Sequence, residues 1–375
     1  MKNWNKVTEY LEGLSESYGV PGGEMQVYQE GELIYAHRFG DRAGTEKNLY
    51  WLYSMSKVYT AAAAMQLVEQ GKLSLEQKVT EFFPRLREIK KADKNGKEIS
   101  LENLTVRNLL SMTGGLNYEI NGPRLSALRA VGEAAIEQIV QAIYEDALEY
   151  EPGEHYRYSL CHDIVGAIIW KITGLTLDQY EKTYLFDPLG IVDMGFYPSE
   201  EQKERIADQY RQEESGIELV SGENQLVIEK NFASGGAGLF GNLADYMKLP
   251  NALAQMGKMK NGVQILKPET IDLLRQDQLT EERLFREFHA GFQNHGLEGF
   301  SYALGVRTRI ADMGNSPVGE FGWDGAAGGF VLIDPKNSLT VGYLQHVLNF
   351  GKAYAEIHPR LRELVYEIMS KEERG

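Results

Sequence analysis

Ser54-Met55-Ser56-Lys57 is the one place in the chain where a serine precedes a lysine by three residues. Residues at that spacing share a helix face, so the hydroxyl and the amine can meet. Tyr50–Tyr53 reads as extended, and the spacing that follows predicts a helix from about Ser54. A serine there sits at the positive end of the helix dipole, which favours a developing alkoxide. A neutral lysine could take its proton. The plainer reading is a capping serine beside a solvated lysine. Against it stands the apolar run Ala61–Ala64, Leu67 and Val68, which leaves little water for the first turn. A buried lysine loses its proton readily enough to act as a base.

Two further segments carry candidate chemistry. Pro152-Gly153 marks a turn, and Tyr158 follows it just before the helical pattern Cys161–Thr173. A phenol beside a lysine could pass protons between nucleophile and leaving group, although a packing aromatic is the ordinary role. Gly322-Trp323-Asp324-Gly325-Ala326-Ala327-Gly328-Gly329 leads into the strand-like Phe330–Ile333. Glycines at a strand start let backbone approach a ligand closely. A backbone N–H from this loop and that of Ser54 could together form an oxyanion hole; a tight turn with Trp323 as core filler is the alternative.

Other chemistries lack their residues. There is no Gly-x-x-x-x-Gly-Lys loop, no His-Glu-x-x-His pair and no Gly-x-Ser-x-Gly elbow. The seven histidines never show metal-ligand spacing, so no metal and no cofactor is expected. Cys161-His162-Asp163 are adjacent helix residues that point to different sides, so they form no triad among themselves. The single cysteine, Cys161, excludes an internal disulfide. With 39 Lys+Arg against 54 Asp+Glu the net charge is −15, and no basic block exists. Nucleic acid and anionic membrane surfaces are therefore not expected partners. No stretch reads as a membrane span. The N-terminal stretch lacks the apolar segment of a secretory signal, so a cytoplasmic location is the expectation, although an exported protein with its signal removed would look the same. Nothing in the sequence marks an oligomeric interface.

The elements that must position these groups come from both chain ends. Trp4, Val7, Leu11, Leu14 and Tyr18 give one helical face. Met25–Tyr28 and Leu33–Phe39 flank Glu30-Gly31 as a hairpin. Gly329–Ile333 and Leu339–Gln345 flank Asp334-Pro335-Lys336-Asn337 as another. A helical pattern, Ile357 to Ile368, follows. Between them lie helical patterns at Ser56–Gln70, Thr105–Ser111, Ala130–Asp146 and Cys161–Thr173, a charged loop at Lys90–Glu98, and a hairpin at Ile217–Val220 and Leu226–Glu229. The expected fold is α/β (α+β). One antiparallel sheet, flanked by the terminal helices, is built from residues 1–85 and 235–375, with a helical domain, 86–234, inserted and the site in the cleft between them.

Order and spacing together resemble the serine β-lactamase-like and penicillin-binding protein superfamily, in the branch of class C β-lactamases, D-Ala-D-Ala carboxypeptidases and family esterases. Ser-x-x-Lys is its signature. Thr105–Leu116 resembles the family's T-(I/V)-R-x-L-L-x-x-T-S-G-L segment, Phe186–Gly190 its P-L-G-M element, and Ser234–Leu239 its A-G-G-L stretch. The resemblance spans about residues 20–350 and implies a β-lactamase/transpeptidase-like fold. It also implies that Ser54 is the acylated nucleophile, Lys57 its partner and Tyr158 the tyrosine of Tyr-x-Asn. Trp323-Asp324-Gly325 then occupies the Lys-Thr-Gly position, and the N–H groups of Ser54 and Ala326 form the oxyanion hole.

Two departures bear on substrate. The Asn of Tyr-x-Asn is Leu160, which cannot bond a substrate amide; leaving such an amide unpaired costs roughly 1–3 kcal/mol. The lysine of Lys-Thr-Gly is Trp323, and losing a charge-assisted bond of roughly 1.5–3 kcal/mol weakens capture of carboxylated substrates. Both changes favour neutral, apolar acyl substrates, with Trp323, Gly325, Leu160 and Tyr118 as binding residues and segments 213–231 and 280–300 as further walls. The expected function is a serine esterase acting on a small-molecule ester or amide without metal or cofactor. A β-lactamase or D-Ala-D-Ala-type peptidase would bind carboxylates despite Trp323. A non-catalytic sensor would acylate and never turn over. Lys57 is the expected acylation base, with Tyr158 orienting it and relaying the proton.

Overall fold

The computed structural model describes residues 3–259, 262–314 and 316–370. The extreme ends of the expected sheet unit, 1–2 and 371–375, lie outside the described residues. Strands β1 (Gly22–Gln29) and β2 (Glu32–Gly40) form the first hairpin. Helix α1 (Ser56–Glu69) and helix α2 (Cys161–Thr173) follow. Near the other end come β3 (Phe300–Tyr302), β4 (Arg307–Arg309), β5 (Phe321–Asp324), β6 (Phe330–Asp334) and β7 (Leu339–Gln345), then helix α3 (His358–Ser370).

These strands make one antiparallel sheet in the order β2-β1-β7-β6-β5-β4-β3, so the two expected hairpins meet side by side. Met25 and Phe330 both lie opposite Tyr343. Side chains alternate across the sheet. Phe330 and Leu332 join a core with Val7, Leu11 and Leu14 and with Leu361 and Val365 of α3. Val331 and Ile333 face the other way, into the large core that contains α1 and α2. Being buried on both faces, β6 reads as an unbroken apolar run rather than an alternating one.

Helix α1 is buried all round, with Ala61–Ala64 fully inaccessible. Four small side chains let neighbouring elements approach closely and pass no water to its first turn. Among the described residues no helix is long and apolar enough to cross a membrane, and no group of His, Cys, Asp and Glu is arranged to hold a metal ion.

Several local expectations need correcting. The first helix breaks at Gly13 into Asn5–Glu12 and Leu14–Tyr18. The pattern at Ala130–Asp146 is two helices, Pro123–Val131 and Ile136–Ala147. Gly132 takes φ 75° and ends the first, while the Gln138 side chain accepts from the Ala135 N–H to start the second. The hairpin is also displaced: Gly216–Val220 pairs with Gln209–Glu213 before it, not with Leu226–Glu229 after it. Leu226 instead packs, half-buried, against the core cluster that contains Trp51 and Tyr53. The extended segment at Tyr50 ends at Trp51, and a 3₁₀ turn, Tyr53–Met55, carries the chain into α1.

Candidate active site

The 3₁₀ turn decides where Ser54 sits. Tyr53 takes φ 48°, a left-handed conformation that costs a non-glycine residue energy and persists only when its surroundings enforce it. Here they do. The Ser56 hydroxyl donates to the Tyr53 carbonyl and accepts from the Leu239 N–H at 3.0 Å. The Tyr53 phenol donates to the Gln209 side chain and accepts from the Gln225 N–H. This kink presents Ser54 at the mouth of a cavity while Tyr53 and Met55 stay in the core.

One turn further on, Lys57 is wholly buried. Its Nζ donates to Ser54 Oγ at 3.1 Å and to the Gly236 carbonyl at 2.7 Å. Burial pulls its pKa down to about 7, against a smaller upward pull from the Asp163 carboxylate. Asp163, on the first turn of α2, is itself buried. Its Oδ1 accepts from the Ser234 hydroxyl at 2.5 Å and the Gly236 N–H at 3.2 Å. Gly236 thus has its N–H tied to Asp163 and its carbonyl to Lys57. Burial raises the Asp163 pKa, while those bonds and Lys57 hold it down.

Above the lysine stands Tyr158, with Nζ 4.7 Å from its ring centroid, and Tyr118 stacks on it with centroids 5.6 Å apart. Burial raises both phenol pKa values, and the Ser54 hydroxyl tempers both rises. The Tyr158 oxygen accepts from Trp323 Nε1 at 3.0 Å. Sequence reasoning took Trp323 as merely apolar; its N–H is a donor that the pattern alone did not assign.

Residues 325–329 close the site. A Cβ on Gly325 would lie 2.6 Å from the Leu52 carbonyl, so only glycine lets this loop meet the turn that carries Ser54. The loop is fastened by Tyr354, whose hydroxyl donates to the Gly325 carbonyl at 2.8 Å, and by the His358 ring against the Gly328 carbonyl at 2.9 Å. Among the described residues, no turn or loop hydrogen bond to a backbone carbonyl engages the Ser54 or the Ala326 N–H, so both could serve a ligand oxygen.

Ser54, Tyr158, Trp323, Gly325 and Ala326 line one cavity of about 520 Å³, together with Phe292, His295 and Leu297 from the expected 280–300 wall. Tyr118 lines a neighbouring cavity of about 500 Å³ that shares Tyr158 and Phe292 with the first. Leu160 is 1% exposed, packs in the core and lines neither. Segment 213–231 borders a third cavity, beside Trp51 and Ser234. Cys161 is buried, with its thiol pushed up to about 11, as suits an inert core residue. Sequence reasoning missed Asp163, considering it only as a partner of Cys161. The signal was there: a carboxylate on the first turn of an otherwise apolar helix must be paired.

Comparison with known proteins bears on family and fold. A family model described as Beta-lactamase matches residues 7–365. An uncharacterized protein of Mycobacterium tuberculosis is 30% identical over 346 residues, covering 87% of this chain and 86% of that protein. The lovastatin esterase of Penicillium rubens is 27% identical over 379 residues, 90% of this chain and 92% of that one. Among solved structures, unliganded selenomethionyl simvastatin synthase from Aspergillus terreus superposes with a TM-score of 0.79 at 23% identity, covering 98% of each chain. That last likeness is one of fold.

Proposed function

Because the chain belongs to the beta-lactamase family, we propose that it is a serine hydrolase of carboxylic esters, working through an acyl-enzyme on Ser54. The observation that carries this reading is Lys57, fully buried, drawn down to a pKa of about 7 and bonded to Ser54 Oγ. At neutral pH a large fraction of such lysines is uncharged and can accept the Ser54 proton as Oγ attacks the ester carbonyl. The carbonyl oxygen becomes an oxyanion between the Ser54 and Ala326 N–H groups. Tyr158, whose phenol burial keeps protonated, gives a proton to the departing alkoxide and is resupplied from Lys57. Water then attacks the acyl-enzyme by the reverse relay, releasing the acid.

Support for esters over lactams comes from the cavity wall, where no lysine or arginine stands among the described lining residues to hold a carboxylate. The name of the Penicillium rubens relative points the same way. The experiment is hydrolysis of p-nitrophenyl butyrate by the wild type and by Ser54→Ala, with intact-mass detection of a butyryl adduct. Turnover and adduct in the wild type, and neither in Ser54→Ala, are expected. A burst without steady turnover would replace the esterase with a sensor, and faster turnover of nitrocefin than of the ester would replace it with a β-lactamase.

A further inference from the structure

Among the described residues, the wall of the cavity at Ser54 has one formally charged member, Asp324, and half of the others are aromatic. Asp324 holds the middle position of the third motif. Its Oδ1 accepts from Arg307 Nη1 at 2.8 Å, and Arg307 is fully buried behind it. The Asp324 side chain remains 13% exposed, and no hydrogen bond engages its Oδ2. The carboxylate therefore has one oxygen fixed from behind and one left for a ligand. Burial is the main reason the Tyr158 and Tyr354 pKa values are raised and the His295 pKa is lowered, and the Asp324 charge adds a smaller upward pull on all three.

Around it the rings form a cage. Trp323, Tyr158 and Phe292 contact one another, with centroids 5.5–5.6 Å apart. His295 stacks on Tyr354 at 4.5 Å. Burial holds the His295 pKa below its usual 6.5, so at neutral pH that ring adds no positive charge. A carboxylate oxygen left open in a wall of aromatic rings, with no lysine or arginine among the described lining residues, is suited to an ammonium group.

We infer that this cage is a cation subsite, and that the substrates are esters whose alcohol portion carries a quaternary or protonated amine. The inference rests on the ester-hydrolase reading. It assigns the alcohol side because the cage is built around Tyr158, the proposed proton donor to the leaving oxygen, and around Trp323, which hydrogen-bonds Tyr158. The chemistry is unchanged: the acyl–oxygen bond breaks, the amino alcohol leaves with the relayed proton, and water releases the acid.

Choline and its uncharged isostere 3,3-dimethyl-1-butanol test it. Calorimetric titration of Ser54→Ala should show choline binding at least tenfold more tightly than the isostere. Butyrylcholine should exceed 3,3-dimethylbutyl butyrate at least tenfold in kcat/KM in the wild type, and Asp324→Asn should bring that ratio near one. Asp324→Asn leaves Arg307 short of a partner and can misfold, so the choline comparison, which keeps Asp324, stands without it. Equal or weaker binding of choline overturns the inference. If p-nitrophenyl butyrate is still turned over through Ser54 in that case, ester hydrolysis survives and only the cage falls. If no ester is turned over and choline binds at least tenfold more tightly, the cage stands and ester hydrolysis falls.

Discussion

Trp323 donates its indole N–H to the Tyr158 oxygen at 3.0 Å, with the two rings stacked 5.5 Å apart. The bond satisfies the phenol oxygen as acceptor and leaves its proton free to be given away. The neutral donor also avoids a cation that would pull the phenol toward tyrosinate. Trp323→Phe keeps the ring and removes the donor. A lost neutral hydrogen bond is worth about 1 kcal/mol, so acylation by p-nitrophenyl butyrate should slow about fivefold with little change in thermal stability. A rate unchanged within error would confine Trp323 to shaping the wall.

Lys57 makes activity depend on pH in a defined sense. Acylation requires the neutral amine, so its rate should climb with pH about a midpoint near 7 and then level off. Stability responds as well. Between about 7 and the ordinary 10.5, the unfolded chain binds a proton that the folded one refuses. The Lys57 contribution to stability therefore falls as pH drops through that window and is flat below it. Lys57→Met has no such proton. Its stability relative to the wild type should increase from pH 10 to pH 7 in urea titrations, while acylation is abolished. A pH-independent difference would mean that the folded lysine keeps its charge.

Asp163 raises the Lys57 pKa and fixes the Ser234–Gly236 turn. Asp163→Asn removes the charge and retains an acceptor oxygen. Its acylation profile should keep its shape and move its midpoint to lower pH. A midpoint that stays put would show that Asp163 is protonated in the wild type.

Gly325→Ala would drive a Cβ to 2.6 Å from the Leu52 carbonyl, and neither backbone can yield without moving the other. The loop bearing Ala326 should be displaced from Ser54. A loss of about 2.7–4 kcal/mol of transition-state stabilisation, two to three decades in kcat, is the range for one lost oxyanion donor. A large drop in kcat with only a modest drop in Tm is expected; full activity would remove the Ala326 N–H from the mechanism.

Strands β6 and β7 were legible because they are buried on both sides and read as apolar runs around Asp334–Asn337, whereas the more exposed β2 was legible from the Glu30-Gly31 turn before it. The Ser54–Lys57 pair was legible because one helix turn suffices to bring them together. What escaped depends on distance along the chain. Asp163 and Gly236 meet across 73 residues, and no local pattern announces that bond. The Trp323 N–H reaches Tyr158 across 165 residues, so its residue type was visible and its role was not. The displaced hairpin failed differently: Gly216 and Gly222 both offer turns, and the sequence pattern alone does not choose between them, whereas in the structure Leu226 is half-buried against a core cluster that contains Tyr53.

Pairing of β1 with β7 has a consequence for synthesis. Gly23 waits for Gln345, which leaves the ribosome about 320 residues later. At roughly 5–20 residues per second that is a delay of roughly 15–60 s. During it, β1 and β2 form a hairpin with an open edge, a template for wrong pairing with other chains. The serine and lysine emerge early, but the loop that would bind the oxyanion arrives on the last strands. A nascent chain is thus exposed to aggregation before it can be catalytic, and chaperone supply, more than the stability of the finished fold, should govern the yield of active protein.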